Sequence, residues 1–303
     1  MTLHDPRAHT LRAGDLSAVF LPGHGMLGAS LRHRGAEILR RVDDLAASAT
    51  QGLTAGIPLM HPWANRLAAA RYTTAGRTVA LDLDSPLLHR DANGLPIHGV
   101  PWSMLAWQVT RADATVLAAR LDWTHPALLA IFPFPHVLEL LATLEPDGVT
   151  LATTLVALDD GPVPVSFGFH PYIGLPGLAR DEWRIELPAM RRLALDPMSI
   201  PTGDEDSVPV FNAALHGLEF DAGYALEQPR ASLAIAGGGR RVSVDLHEGY
   251  AYAQVYAPQG KDFVALEPMT APTNALITGR DLRLVAPGER YSATFRIRVE
   301  ALV

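Results

Sequence analysis

Between Tyr291 and Val299 the chain reads YSATFRIRV, and the alternation is unbroken. Tyr291, Ala293, Phe295, Ile297 and Val299 are apolar or small, while Ser292, Thr294, Arg296 and Arg298 are polar. A period of two is the period of a strand, because successive side chains leave opposite faces of the pleat; here one face is dry and the other wet. The same reading recurs along the chain. The β-rich runs 137–145 and 149–156 are joined by Pro146-Asp147-Gly148, where Pro presets φ and Gly accepts a positive one. The runs 232–235 and 241–246 flank Gly237-Gly238-Gly239, a second hairpin. Leu282–Val285 and the run from Tyr291 flank Pro287-Gly288, which predicts a third, and Ala75-Gly76 a fourth. Short helical pieces are expected only at Val42–Ala49 and Asn212–Leu218. The 25 Gly and 24 Pro spread along the chain oppose long helices. The expected fold is all-β, a large antiparallel β-sandwich with few short helices. No composition shift, linker or internal repeat divides the chain, so residues 1–303 are expected to form a single domain.

Composition narrows the function. A net charge of −7 opposes nucleic acid as a partner, because phosphate binding needs a basic patch. The absence of Cys removes disulfides, thiolate nucleophiles and thiolate metal sites. Met1–Gly14 is polar and carries no apolar h-region, and no run reaches about 18 apolar residues, so a cytoplasmic protein with no membrane span is expected. The single lysine, Lys261, lies in Ala-Pro-Gln-Gly-Lys-Asp, which reads as an exposed turn rather than a Schiff-base pocket. Gly23-His24-Gly25-Met26-Leu27-Gly28 matches GxGxxG, but the residues after it read as strand, turn, strand. A dinucleotide fingerprint requires a helix there, to aim its N-terminus at the pyrophosphate.

Four segments set reactive side chains beside Pro or Gly among apolar residues: 56–67 (GIPLMHPWANRL), 95–102 (LPIHGVPW), 165–172 (VSFGFHPY) and 265–276 (ALEPMTAPTNAL). Rigid bends at strand ends are how a β scaffold fixes a site. Each candidate has a bland alternative. His98 before Gly99 also reads as a surface turn histidine, and His170 between Phe169 and Pro171 as a core histidine bonded to backbone. Arg66 also reads as a surface charge. Glu267, inside an apolar run and before Pro268, is hardest to dismiss, because a buried carboxylate needs a partner; its bland reading is a structural ion pair, with Arg66 the obvious cation.

Taken together, these segments resemble the aldose 1-epimerases, the galactose mutarotase-like proteins, over about Leu16 to Val299. Asn65-Arg66 after Gly-Ile-Pro is similar to that family's Asn-Arg motif, and His98-Gly99 to its first histidine motif. Gly168-Phe169-His170-Pro171-Tyr172 is similar to its Gly-(Trp/Phe)-His-Pro-Tyr signature, the most specific of the set. Glu267 in Leu-Glu-Pro-Met-Thr is similar to its glutamate. Asp221 and Gln254 are weaker matches. Trp63-Ala64 departs from an aromatic followed by Pro, and the surroundings of Asp221 are the loosest match. The resemblance implies a β-supersandwich with a sugar site on one sheet. It implies Glu267 as base and His170 as acid with His98 assisting, and Arg66, Asn65, Asp221 and Gln254 on sugar hydroxyls.

Anomer exchange needs a base for the C1 hydroxyl and an acid for the ring oxygen, but no redox step, so neither cofactor nor metal is expected. Trp63 or Tyr172 offers a ring for a sugar face; plain core packing is the competing reading. The expected partner is a small sugar, bound by a monomer or homodimer. Three other readings stay open: a non-catalytic carbohydrate-binding protein on the same scaffold, a hexose-6-phosphate mutarotase with an arginine cluster for the phosphate, and a metal enzyme using His98, His170 and Glu267 as ligands.

Overall fold

The computed structural model describes residues 8–41, 55–158 and 161–302. The helical stretch expected at Val42–Ala49 lies outside the described residues. Two antiparallel sheets carry most of the rest. The larger has nine strands, running in space from Gln108–Ala112 through Val116–Trp123, His136–Glu145, Gly148–Ala157, Arg290–Ala301, Arg240–Glu248, Ala231–Gly237 and Arg184–Leu187 to Phe211–Ala214. In the smaller, Met190–Leu195, Phe220–Leu226, Tyr252–Ala257, Val264–Met269, Gly168–Phe169 and Leu59–Met60 follow one another. Only two short α-helices occur among the described residues, Pro126–Ile131 and Ala275–Thr278.

Pattern and packing agree along Arg290–Ala301. Ala293, Phe295, Ile297 and Val299 are buried in the main core, and their polar neighbours are not. On the facing sheet, Ala253, Val255, Val264 and Leu266 enter the same core, and the rings of Phe169 and Phe295 meet across it at 5.1 Å. Period two then sends Tyr252, Gln254, Ala265, Glu267 and Met269 to the opposite face of the smaller sheet. That face is covered in turn, because every one of those five residues is buried. The sandwich thus supplies a dry outer face on which a carboxylate can sit.

Three of the four predicted hairpins form: around 146–147, 238–239 and 75–76. The fourth does not. Arg283–Val285 pairs with Val163–Val165, and Arg290–Ala301 pairs with Gly148–Ala157 and Arg240–Glu248. Pro287-Gly288 therefore turns the chain from a small two-stranded ladder into the large sheet. Asn212–Leu218 is also not helical. Phe211–Ala214 is an edge strand on Arg184–Leu187, and Leu218 N–H closes a turn onto Leu215 O. After the GxGxxG run, the strand Leu27–His33 follows a single 3₁₀ turn, so no helix N-terminus meets that loop. Lys261 is exposed next to a turn. No described helix is long and apolar enough to cross a membrane, which says nothing of a β-barrel.

Candidate active site

Antiparallel register builds the centre of the site. Gly168 pairs with Met269, and Tyr172 with Ala265. The same register sets His170 opposite Glu267, in the gap where Pro171 has no N–H to give the ladder. Gly168 is needed for this close approach, since a Cβ there would stand 2.6 Å from Pro268 O. His170 N–H donates to Pro58 O, which ties the segment to its other neighbour. The outcome is a contact of 3.1 Å between His170 Nε2 and Glu267 Oε1, with the glutamate side chain 2% exposed. Tyr172 stacks on the imidazole at 4.2 Å and brings its hydroxyl within 3.3 Å of Nε2. Two buried polar atoms at this point have no hydrogen-bond partner, Glu267 Oε2 and His170 Nδ1.

The next strand extends the row. Gln254 pairs with Glu267 on one side and with Gly223 on the other, and its Nε2–H donates to Asp221 Oδ1 at 2.7 Å. Glu267, Gln254 and Asp221 thus share one face. Met60, Ala64, Leu193, Tyr252 and Met269 make an apolar wall beside them.

Loops supply the other side. Asn65–Leu67 runs antiparallel to Pro96–His98. His98 N–H donates to Asn65 O at 2.9 Å, and Asn65 N–H donates back to His98 Nδ1 at 3.3 Å. His98 is half-buried rather than a surface turn residue, and its ring meets that of His170 edge-on at 5.5 Å. Arg66 gives Nε–H to Asp91 Oδ2 at 2.7 Å and Nη1–H to Asn65 Oδ1 at 3.2 Å. The ion pair between Glu267 and Arg66 does not form: Glu267 takes His170 and Arg66 takes Asp91. A cavity of about 290 Å³ opens at the two imidazoles, between Met60, His89, Ile97 and Trp102, close to the lower end of the size range of small-molecule pockets.

All seven residues singled out from the sequence therefore join one continuous set of contacts, of which His98 and His170 line the cavity. Trp63 does not join it. It is fully buried, with its ring against Tyr72 in the main core, and presents no face to a ligand. Asp91 was missed, although Asp-Ala-Asn-Gly-Leu carries the signature of an Asx turn that fixes a carboxylate. Among the described residues, no group of three potential ligands is gathered for a metal ion.

Burial dominates the electrostatics. It pushes the Glu267 carboxyl well above the usual carboxylate range; Asp221 adds to this and Arg66 opposes it. It pulls the His170 imidazole well below its ordinary value, helped by His98 and Arg40. His98 is lowered to about 3 by burial, then by the positive charge of Arg66 and by His89. With Nδ1 accepting from Asn65, His98 is neutral and carries its proton on Nε2.

Comparison with known proteins fits this geometry. The family model for aldose 1-epimerase matches residues 7–298. The uncharacterized protein YihR of Escherichia coli K12 is 26% identical over 259 residues, which is 80% of either chain. The Slr1438 protein of Synechocystis superposes with a TM-score of 0.80 at 24% identity, over 99% of this chain and 98% of that one. A galactose mutarotase-like protein from Clostridium acetobutylicum superposes with a TM-score of 0.85 at 18% identity, over 97% and 95%. At such identities the structural likeness speaks to the fold.

Proposed function

Since the chain belongs to the aldose 1-epimerase family, we propose that it interconverts the α and β anomers of a free aldose, with Glu267 as general base and His170 as general acid. The observation that carries this is the 3.1 Å contact between the two groups, with one oxygen of the buried carboxylate left unbonded.

The proton count follows from chemistry. To open the ring, an ionised Glu267 takes the proton of the C1 hydroxyl while a protonated His170 gives one to the ring oxygen. The C1–O5 bond breaks, leaving an open aldehyde, a neutral carboxylic acid and a neutral imidazole. Rotation about C1–C2 and the reverse steps deliver the other anomer. The pair holds one proton throughout and stays neutral overall. Burial raises the carboxyl and lowers the imidazole, so without sugar the pair favours the neutral acid and neutral imidazole, the arrangement from which ring closure starts. His98, with Nε2–H as donor, steadies charge at the ring oxygen. Arg66, Asn65, Asp221 and Gln254 hold hydroxyls and fix the ring against the reacting pair.

Polarimetry on freshly dissolved α-D-glucose, α-D-galactose and a hexose 6-phosphate tests the reading. The wild type is expected to accelerate mutarotation of at least one, and Glu267→Gln to be slower by at least about 10²-fold, the scale of one lost acid–base group. If the wild type accelerates none of them, a sugar-binding role takes its place.

A further inference from the structure

Arg66 and His98 both depend on a residue with no atom in the reacting pair. We infer that Asp91 is a positioning residue for this reaction: through Arg66 and Asn65 it fixes the donors that the site turns toward the sugar. The inference rests on the anomer-exchange reading above.

Asp91 lies where the chain turns between His89–Arg90 and Pro96–Ile97. Its Oδ1 accepts from the backbone N–H of Asn93 and of Leu95, both at 2.9 Å. Its own N–H donates to Leu95 O, and Gly94 N–H to Asp91 O, so backbone closes the turn around the side chain. Oδ2 then has one direction left and meets Arg66 Nε at 2.7 Å. The carboxylate is 7% exposed and the arginine 17%, so water competes weakly for this contact.

The arginine is held at two points. With Nε on Asp91 and Nη1 on Asn65 Oδ1, the guanidinium plane is set and Nη2 stays available as a donor. Asn65 passes the constraint on. Its Oδ1 also takes the Arg66 backbone N–H at 2.9 Å, and its own N–H fixes Nδ1 of His98. Asp91, Arg66, Asn65 and His98 form one chain of contacts from a surface turn to the imidazole beside His170. A flexible arginine without its anchor keeps its charge and loses its aim, and misplacement by about 1 Å costs up to about 10²-fold in rate.

Asp91→Asn is the test variant. It keeps an oxygen for the turn N–H groups and turns an NH₂ toward Arg66 Nε–H, where two donors repel. Anomer exchange is followed by NMR over a panel of aldoses for wild type, Asp91→Asn, Arg66→Gln and the double variant, with thermal melting in parallel. The expected result is at least a ~10-fold lower kcat/KM in Asp91→Asn, and less than about a twofold further loss when Asp91→Asn is added to Arg66→Gln. Equal losses in both backgrounds, or a lowered melting point with kcat/KM intact, overturn the inference. A second readout needs no turnover: the Arg66 Nε–H resonance, slow to exchange in the wild type, is lost in Asp91→Asn, and the His98 ring nitrogens shift with it. If the wild type turns over no aldose, the functional reading fails while these resonances still decide the role of Asp91; their persistence in Asp91→Asn refutes it. Should Asp91→Asn not fold, Asp91→Ser, whose hydroxyl still caps the turn, takes its place in every arm.

Discussion

Asn65 N–H donates to His98 Nδ1 and His98 N–H donates back to Asn65 O, and both residues hold a positive φ, at 57° and 61°. Few non-glycine residues adopt this conformation, Asn and His more readily than most. Two adjacent instances, facing each other at a cluster of reactive groups, are strain held in place by the surrounding contacts. The consequence is chemical: Nδ1 of His98 is occupied and its proton sits on Nε2.

That assignment predicts an imidazole that does not titrate in the ordinary range. ¹⁵N spectra should show His98 neutral, with an unprotonated Nδ1, from pH 8 down to pH 5. A midpoint near 6.5 would contradict it. His98→Gln should lower kcat/KM by about 10- to 100-fold, since a neutral donor is lost while the reacting pair remains.

The one-proton pair predicts a bell-shaped dependence of kcat/KM on pH. As pH falls, the pair takes a second proton and Glu267 can no longer act as base. As pH rises, it loses its only proton and His170 can no longer act as acid. Both apparent constants belong to the pair rather than to either residue. Glu267→Gln should remove the acid limb from whatever activity survives, and a wild-type profile with no acid limb would refute the shared proton.

Gly223 predicts a binding effect without a chemical one. A Cβ there would lie 3.2 Å from both Gln254 Oε1 and Leu193 Cδ1. Gly223→Val should push Gln254 off its place beside Glu267 and raise KM by about 10-fold while changing kcat less. A larger loss in kcat than in KM would place Gln254 in the chemical step instead.

A second pair of imidazoles, His61 and His136, lies outside the Glu267–His170 contact and should contribute to stability in acid. His136 Nδ1–H donates to Phe134 O at 2.6 Å, so its Nε2 accepts from His61 at 2.9 Å. Both are buried among Trp123 and Phe132, and burial lowers both, His136 to about 4. The unfolded chain takes up protons on them near the ordinary histidine value of about 6.5, where the folded chain does not. Their contribution is complete above that pH and is lost as pH falls through it toward the folded value. The wild-type melting temperature should therefore drop between pH 7 and pH 4.5, and by less in His61→Leu/His136→Phe. An identical drop would mean that other groups set the acid limit.

The sheet was legible where strands are neighbours in sequence. The hairpins at Pro146-Asp147, Gly238-Gly239 and Ala75-Gly76 are local, so turn chemistry and period two were enough. Pro287-Gly288 shows the same signals but joins strands whose partners, Val163–Val165, Gly148–Ala157 and Arg240–Glu248, are all distant in sequence, and no local pattern reveals that. Asn212–Leu218 looked helical because nothing in it marks an edge strand; pairing of Phe211–Ala214 with Arg184–Leu187 decides it. Asn65, Arg66, His98, His170 and Glu267 were visible because Pro and Gly frame them, whereas Asp221 and Gln254 came only from the family resemblance. The partners within the site were not visible: Asp91 for Arg66 and His170 for Glu267 are matters of register and turn geometry. So is the His61–His136 contact, 75 residues apart in the chain.

The most direct test of the central claim is a double-mutant cycle on Glu267→Gln and His170→Asn. Anomer exchange is measured by NMR magnetisation transfer on the best aldose, well above the spontaneous rate. Groups that share one proton in one step act as a unit, so each single variant should lose at least about 10²-fold, and the double should be no more than a few-fold worse than the poorer single. Losses that multiply in the double variant, or a near wild-type rate in either single, would show that the two groups do not work as a pair.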